Sequence, residues 1–179
     1  MKLGSLIFYK NIPTFGSWLQ RKILGTPYSH LSIYIGTNEL GRMEEFEANA
    51  QVDTTTLTLN KNYREVYEID APYETMKECL NAVINRFEED TYGPQQWLSI
   101  LIRRIGELLG FERAREWNIL WDWGKTCTEL IWYFLSDLSG RLNRADIRTE
   151  LSQYNPDTFH PGDVKYFVGK YSLFNKLEI

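Results

Sequence analysis

The decamer Thr126-Cys127-Thr128-Glu129-Leu130-Ile131-Trp132-Tyr133-Phe134-Leu135 sets a cysteine where a thiol can become reactive without a metal. Thr126 and Glu129 stand three apart ahead of an apolar run, the spacing of a capping box, in which the Thr hydroxyl accepts the N3 amide and the Glu reaches back. Cys127 is then the first helical residue. There its sulfur faces unsatisfied backbone N–H groups and the positive end of the helix dipole, which favours the thiolate, and a thiolate is a nucleophile. From the capping alone a second reading stands beside this one, a small buried apolar side chain, since free cysteine is commonly core. Cys79 lies beside a helical apolar stripe, away from any N-cap, and reads as core.

A nucleophile needs elements that hold it and a base that meets it. Leu130, Ile131, Phe134, Leu135 and Leu138 recur at helical spacing, so the cysteine helix is driven into a core that holds its first turn still. Residues 28–35 alternate: Leu31, Ile33 and Ile35 on one side, His30, Ser32 and Tyr34 on the other, bounded by Gly36, which reads as a strand with His30 on its more polar face. Segment 44–50 reads as the next strand, with Glu45 and Glu47 on one face and Phe46 and Ala48 on the other. Segments 3–9 and 64–70 read as further strands. Phe15, Trp18, Leu19 and Ile23 mark a short helix that Gly25 ends. Met76, Leu80, Val83 and Phe87 mark a helix over 73–89, and Trp97 to Leu108 one from Pro94 to a Gly110 cap, with an apolar arc wide enough to be a contact surface. Residues 111–125, with Trp117, Trp121 and Trp123, are aromatic-rich. After Asp137 the chain is polar up to a turn cluster at 158–163, followed by strand-like 164–168 and 171–174.

At 179 residues the chain fits one domain, 1–179, long enough for a full core without staples. A net charge of -4 argues against a general nucleic-acid binder, and Arg103, Arg104, Arg113 and Arg115 read as a solvated helix face. Two cysteines are too few for a disulfide framework, and two distant histidines do not complete a zinc site, so a reducing compartment and no metal are expected. No basic segment with a long apolar run opens the chain and no stretch approaches bilayer-spanning length, so neither a signal peptide nor a transmembrane segment is expected; the protein would be cytoplasmic at synthesis, with delivery to a virion or cell wall by another route.

The runs GSLIFYK, GTPYSHLSIYIG, FEANAQV, TYGPQQWL and TCTELIWYFL resemble the circularly permuted papain-fold amidases, the YiiX-like relatives of the NlpC-type cell-wall peptidases. In that family the histidine strand comes first and the cysteine helix last, the reverse of papain. The resemblance spans residues 3–135, most specifically Tyr28-Ser29-His30 before an alternating strand and Gly36, and the Cys-Thr-Glu-Leu helix start. Members usually show Gly-Asp where this chain has Gly4-Ser5, and Cys-Ser-Glu-Leu where it has Cys127-Thr128-Glu129-Leu130; neither departure removes a catalytic group. Segment 117–123 has no counterpart in the family pattern.

Carried over residue by residue, the resemblance implies Cys127 as nucleophile, His30 as general base and Glu47 as the group that orients the imidazole, a Cys-His-Glu triad. The chemistry asks for this set, because an imidazole must take the thiol proton and a carboxylate on its other nitrogen fixes tautomer and orientation. Glu45 points the same way as Glu47 by strand parity, and only the Glu-Ala context favours Glu47. Tyr92 matches a tyrosine lining the substrate site, against a reading as a helix-start aromatic. The backbone N–H of Cys127 would serve the oxyanion hole. His160, 33 residues after Cys127 as an unpermuted papain order would have it, is followed by Pro161-Gly162 and reads as a turn residue.

The expected fold is α+β, a mostly antiparallel sheet packed on the N-terminally capped cysteine helix. The expected function is a thiol amidase or peptidase working through an acyl-enzyme thioester with no cofactor, its substrate an amide of the peptidoglycan stem-peptide class. Two other classes stay open: lipid or acyl-group thioester chemistry, as in lecithin retinol acyltransferase, with 97–109 as the acyl-binding wall, and a non-catalytic binding or assembly module, for instance in a phage particle.

Overall fold

The computed structural model describes residues 1–10, 12–48, 52–57, 64–87, 102, 105–106, 109–111 and 126–178. Its elements are β1 (Leu6–Lys10), α1 (Phe15–Leu24), β2 (Tyr28–Thr37), β3 (Met43–Ala48), β4 (Val52–Thr56), β5 (Arg64–Ile69), α2 (Tyr73–Phe87), α3 (Cys127–Arg141), α4 (Ala145–Leu151), α5 (Pro161–Lys170) and β6 (Phe174–Leu177). The strands form one sheet in the order β4-β3-β2-β1-β5-β6, and every described pairing is antiparallel. The α+β expectation holds. Tyr92, segment 117–123, the four arginines at 103, 104, 113 and 115, and most of the helix expected over 94–110 lie outside the described residues. At that helix's end Gly110 adopts φ 85 and the Phe111 amide bonds the Gly106 carbonyl, as a glycine C-cap requires.

One face of the sheet carries the main core. Leu6, Phe8, Leu31, Ile33, Phe46 and Ala48 pack there with the apolar stripe of α3 and with Met76, Leu80 and Val83 of α2. Phe134 is fully enclosed, and its truncation to Ala would cost roughly 3–5 kcal/mol. Gly4 is favoured where β1 enters: its φ is 78, a conformation strained for other residues, and a Cβ would lie 2.0 Å from Met76 Sδ and force that side chain to move. A second buried group, Ile7, Tyr9, Tyr34 and Val66, forms from the alternate residues of the strands.

Two expectations about the C-terminal third are corrected. Segment 164–168 is not a strand but part of α5. Val164, Tyr166 and Val168 satisfy a two-residue period as well as Val164, Phe167 and Val168 satisfy a helical one, and the cap decides: His160 accepts the Gly162 and Asp163 amides while Asp163 bonds the His160 N–H, with Pro161 at the first position. Phe167 is consequently buried and Tyr166 exposed. The stretch after Asp137 is not merely polar either, since α3 runs on to Arg141 and α4 buries Ile147 and Leu151. Strand β4, threonine-rich, was not expected; it pairs along β3 and reaches the site described next.

Candidate active site

His30 is positioned by an irregularity in β2. Tyr9 pairs with His30, but the next residue, Lys10, pairs with Tyr28, so Ser29 is an extra residue, a β-bulge of the kind that re-aims neighbouring side chains. The Ser17 hydroxyl donates to Ser29 Oγ at 2.7 Å and ties α1 to the bulge. Helix α1 is itself defined by local signals, a Thr14 cap on the Ser17 amide and Gly25 in the left-handed region.

From that start the imidazole reaches Glu47. His30 Nε2 lies 2.5 Å from Glu47 Oε2, and Glu47 Oε1 accepts a hydrogen bond from Thr55 Oγ1 of β4 at 3.0 Å. Both oxygens of Glu47 are therefore directed by strands on either side of it. Burial opposes charging of His30. The negative forms of Cys127 and then Glu47 outweigh that burial and raise the imidazole from 6.5 to about 10. With Nε2 committed to Glu47, Nδ1 is the ring nitrogen left for the Cys127 sulfur. The Glu47 carboxyl is held below its ordinary value: burial alone would raise it, and His30 and Thr55 prevail.

Cys127 stands at the first position of α3, buried, and Thr126 Oγ1 accepts the Glu129 amide at 3.2 Å, the N-cap half of the expected box. Helix α3 packs on β2 and β3, the two strands that carry His30 and Glu47. The structure thus brings together Cys127, His30 and Glu47. Cys79 sits mid-helix in α2, fully buried, its Sγ 3.4 Å from the Phe134 carbonyl, and burial followed by Asp137 pushes its thiol up.

The register separates the two glutamates that strand parity left equivalent. Tyr34 pairs with Glu45 and Ile33 with Phe46, so along the diagonals Glu47 comes beside His30 and Glu45 beside Ser32. Glu45 Oε2 accepts hydrogen bonds from the Tyr9 and Ser32 hydroxyls. Burial raises the Glu45 carboxyl, against the lowering effect of Ser32 and Tyr9, so the two carboxyls are pushed in opposite directions. Tyr9, Ser32 and Thr55 were not singled out from the sequence. Alternation does put Ser32 on the face of His30, but the placement of Tyr9 and Thr55 depends on which strands pair.

His160 is not part of this group. Its Nδ1 accepts the Gly162 amide at 3.0 Å and the Asp163 amide at 3.4 Å, so that lone pair is committed to the α5 cap. Just ahead of β2, Trp18, Arg21, Lys22, Gly25, Thr26 and Pro27 line an open cleft of about 330 Å³.

No protein-family model and no curated protein matches the chain. Among solved structures it is similar to metalloprotein YiiX from Escherichia coli O157:H7, with a TM-score of 0.60 at 14% identity over 99% of this chain and 96% of that one. At that identity the likeness is one of fold: the chain has a YiiX-like fold. None of the helices among the described residues is long and apolar enough to cross a membrane.

Proposed function

We propose that the chain is a cysteine hydrolase of the permuted papain-like type that cleaves an amide bond, with cell-wall stem peptides as its substrate class. The observation that carries the reading is the imidazole of His30, bonded through Nε2 to Glu47 and coupled to the sulfur at the start of α3. His30 takes the Cys127 proton, the thiolate attacks the amide carbonyl, and the carbonyl oxygen becomes an oxyanion within reach of the Cys127 backbone N–H. His30 returns the proton to the leaving amine as the C–N bond breaks. Water, deprotonated by His30, then cleaves the thioester, releasing the acid and restoring the thiol. Glu47 keeps the ring in one tautomer and favours its charged form throughout.

The similar solved structure is named a metalloprotein, but the described residues of this chain do not fit a metal centre. Among the described residues no group of three or more His, Cys, Asp or Glu side chains could hold an ion.

One observation favours a second reading, thioester chemistry on an acyl chain. Leu109 and Phe111, at the end of the apolar segment, are 70% and 53% exposed. Incubation with peptidoglycan fragments and with acyl thioesters, followed by mass spectrometry, separates the two. New carboxylate and amine termini that vanish in Cys127→Ala are expected; peptide cleavage indifferent to that substitution, or turnover of acyl substrates alone, refutes the amidase.

A further inference from the structure

The imidazole of His30 meets Glu47 through Nε2 and is coupled to Cys127, and these contacts engage its nitrogens rather than its face. What lies on its face is Tyr9. The two rings stack with centroids 5.5 Å apart and planes 23° from parallel, across the directly paired positions of β1 and β2. Tyr9 is 1% exposed, and its hydroxyl donates to Glu45 Oε2, which also accepts from Ser32. Ser32 is 1% and Glu45 4% exposed, so the three form a buried network beside the Cys127–His30–Glu47 group. A buried carboxyl is costly unless hydrogen-bonded, and the two hydroxyls meet that need on one oxygen. The network therefore fixes where the phenol ring lies.

We propose that Tyr9 is a positioning residue for the candidate site: Glu45 and Ser32 pin its ring, and the ring, stacked on His30, holds the imidazole in the plane that joins Cys127 to Glu47. This rests on the cysteine-hydrolase reading. The stack also favours the charged imidazole, since the negative face of an aromatic ring attracts a cation laid over it. Glu45, raised by burial and turned towards hydroxyls, hydrogen-bonds Tyr9 and meets the imidazole only through charge. Tyr9 would therefore affect the reactivity of Cys127 without touching sulfur or substrate.

The test is iodoacetamide labelling of Cys127 between pH 5 and 8, read by peptide mass spectrometry, with buried Cys79 in the same molecule reporting whether the fold is intact. Tyr9→Leu, which removes the ring, should slow labelling at pH 6 by roughly tenfold, within the ~10²-fold that a misplacement of about 1 Å can cost a reacting group. Tyr9→Phe, which keeps the stacked ring but removes the hydroxyl that Glu45 holds, should give a rate between those of Tyr9→Leu and wild type. Wild-type speed in Tyr9→Leu, or Tyr9→Phe as slow as Tyr9→Leu, overturns the proposal. If Tyr9→Leu also exposes Cys79, the wild-type NMR spectrum decides: the His30 Hε1 proton should be moved upfield by the phenol ring current and return on Tyr9→Phe only if the ring has shifted. A normal Hε1 position in the wild type overturns the stack. His30→Ala separates the two levels, because a labelling profile it does not change refutes the Cys–His pair itself, whereas one it changes while Tyr9→Leu does not refutes only the positioning.

Discussion

Two carboxylates on neighbouring parts of one sheet are each surrounded by hydrogen-bond donors, and they differ in what those donors can exchange. Glu65, on β5, receives Lys10 at 3.1 Å, Lys165 at 3.0 Å and the Tyr28 hydroxyl at 2.9 Å, with Lys176 at 3.5 Å. These partners hold the carboxyl down to about 2 against the burial that would raise it. A carboxylate held that low stays charged across the range where proteins function, so the cluster braces β1, β5, β6 and α5. Glu47 has a histidine and a threonine instead, and beyond the histidine a thiol. Beyond Glu47, a proton can pass between the imidazole nitrogen and the sulfur. A buried carboxylate is thus a strut or part of a reactive site according to its neighbours, and each can be made to fail in its own way.

The largest contrast is expected in turnover. Glu47→Gln should reduce amide cleavage by up to about 10⁴-fold, the cost of losing an orienting carboxylate in a triad. Glu65→Gln should leave the cleavage rate per folded molecule unchanged, and Glu45→Gln should be nearly silent because the amide oxygen still accepts from Tyr9 and Ser32. A Glu45→Gln loss matching that of Glu47→Gln would show that the register does not divide their roles.

Alkylation sharpens the same contrast without a known substrate. Iodoacetamide at pH 6 should label Cys127 strongly and Cys79 hardly at all, because one sulfur meets an imidazole at a helix start and the other a carbonyl in the core. His30→Ala should slow that labelling at pH 6, because the imidazolium that favours the thiolate is gone, and His160→Ala should leave it unaltered. Equal labelling of the two cysteines would sink the assignment of the thiolate.

Stability against pH separates the two clusters by sign, through His30 in one and Glu65 in the other. His30 is raised from 6.5 to about 10, so what it contributes is fully present below 6.5 and lost as pH rises through 10; the advantage of wild type over His30→Gln in thermal melts should shrink across that window. Glu65 is lowered from 4.5 to about 2, so its contribution is present above 4.5 and lost as pH falls towards 2. Glu65→Gln should cost about 2 kcal/mol at pH 7, less than a fully buried pair would, since Lys10 and Lys165 remain 32% and 31% exposed. A melt difference constant with pH would remove Glu65 as an electrostatic brace.

Much of this contrast was legible in the residues. The period-2 alternation of 28–35 and the helical stripe behind Cys127 anticipate β2 and α3, and Gly25 and Thr126 mark helix boundaries where the structure has them. Parity put Glu45 and Glu47 on one face but could not choose between them, because the choice depends on how β2 and β3 are aligned, which is a relation between strands. Tyr9 was hidden for the same reason: nothing within β1 says that it lies opposite His30. The Glu65 cluster gathers Lys10, Lys165 and Lys176 from 55 to 111 residues away, beyond any local pattern. Helix α5 was missed because Val164-Lys165-Tyr166-Phe167-Val168 fits both periods, and a histidine cap is a weaker signal than Ser, Thr or Asp.

The smallest expected effect tests whether the helix start itself belongs to the reactive region. Thr126 is 4% exposed, its Oγ1 accepts the Glu129 amide, and it lies 3.2 Å from Thr128 Oγ1. Thr126→Ala should cost about 1 kcal/mol through loss of the cap. The same backbone end presents the N–H groups that favour a thiolate at Cys127, so alkylation of Cys127 should slow in parallel while Cys79 stays protected. Thr126→Ser keeps the capping oxygen and should recover both. If Thr126→Ala lowers the melting temperature but leaves alkylation untouched, the helix end does not act on the sulfur, and the reactivity of Cys127 is due to His30 and Glu47 alone.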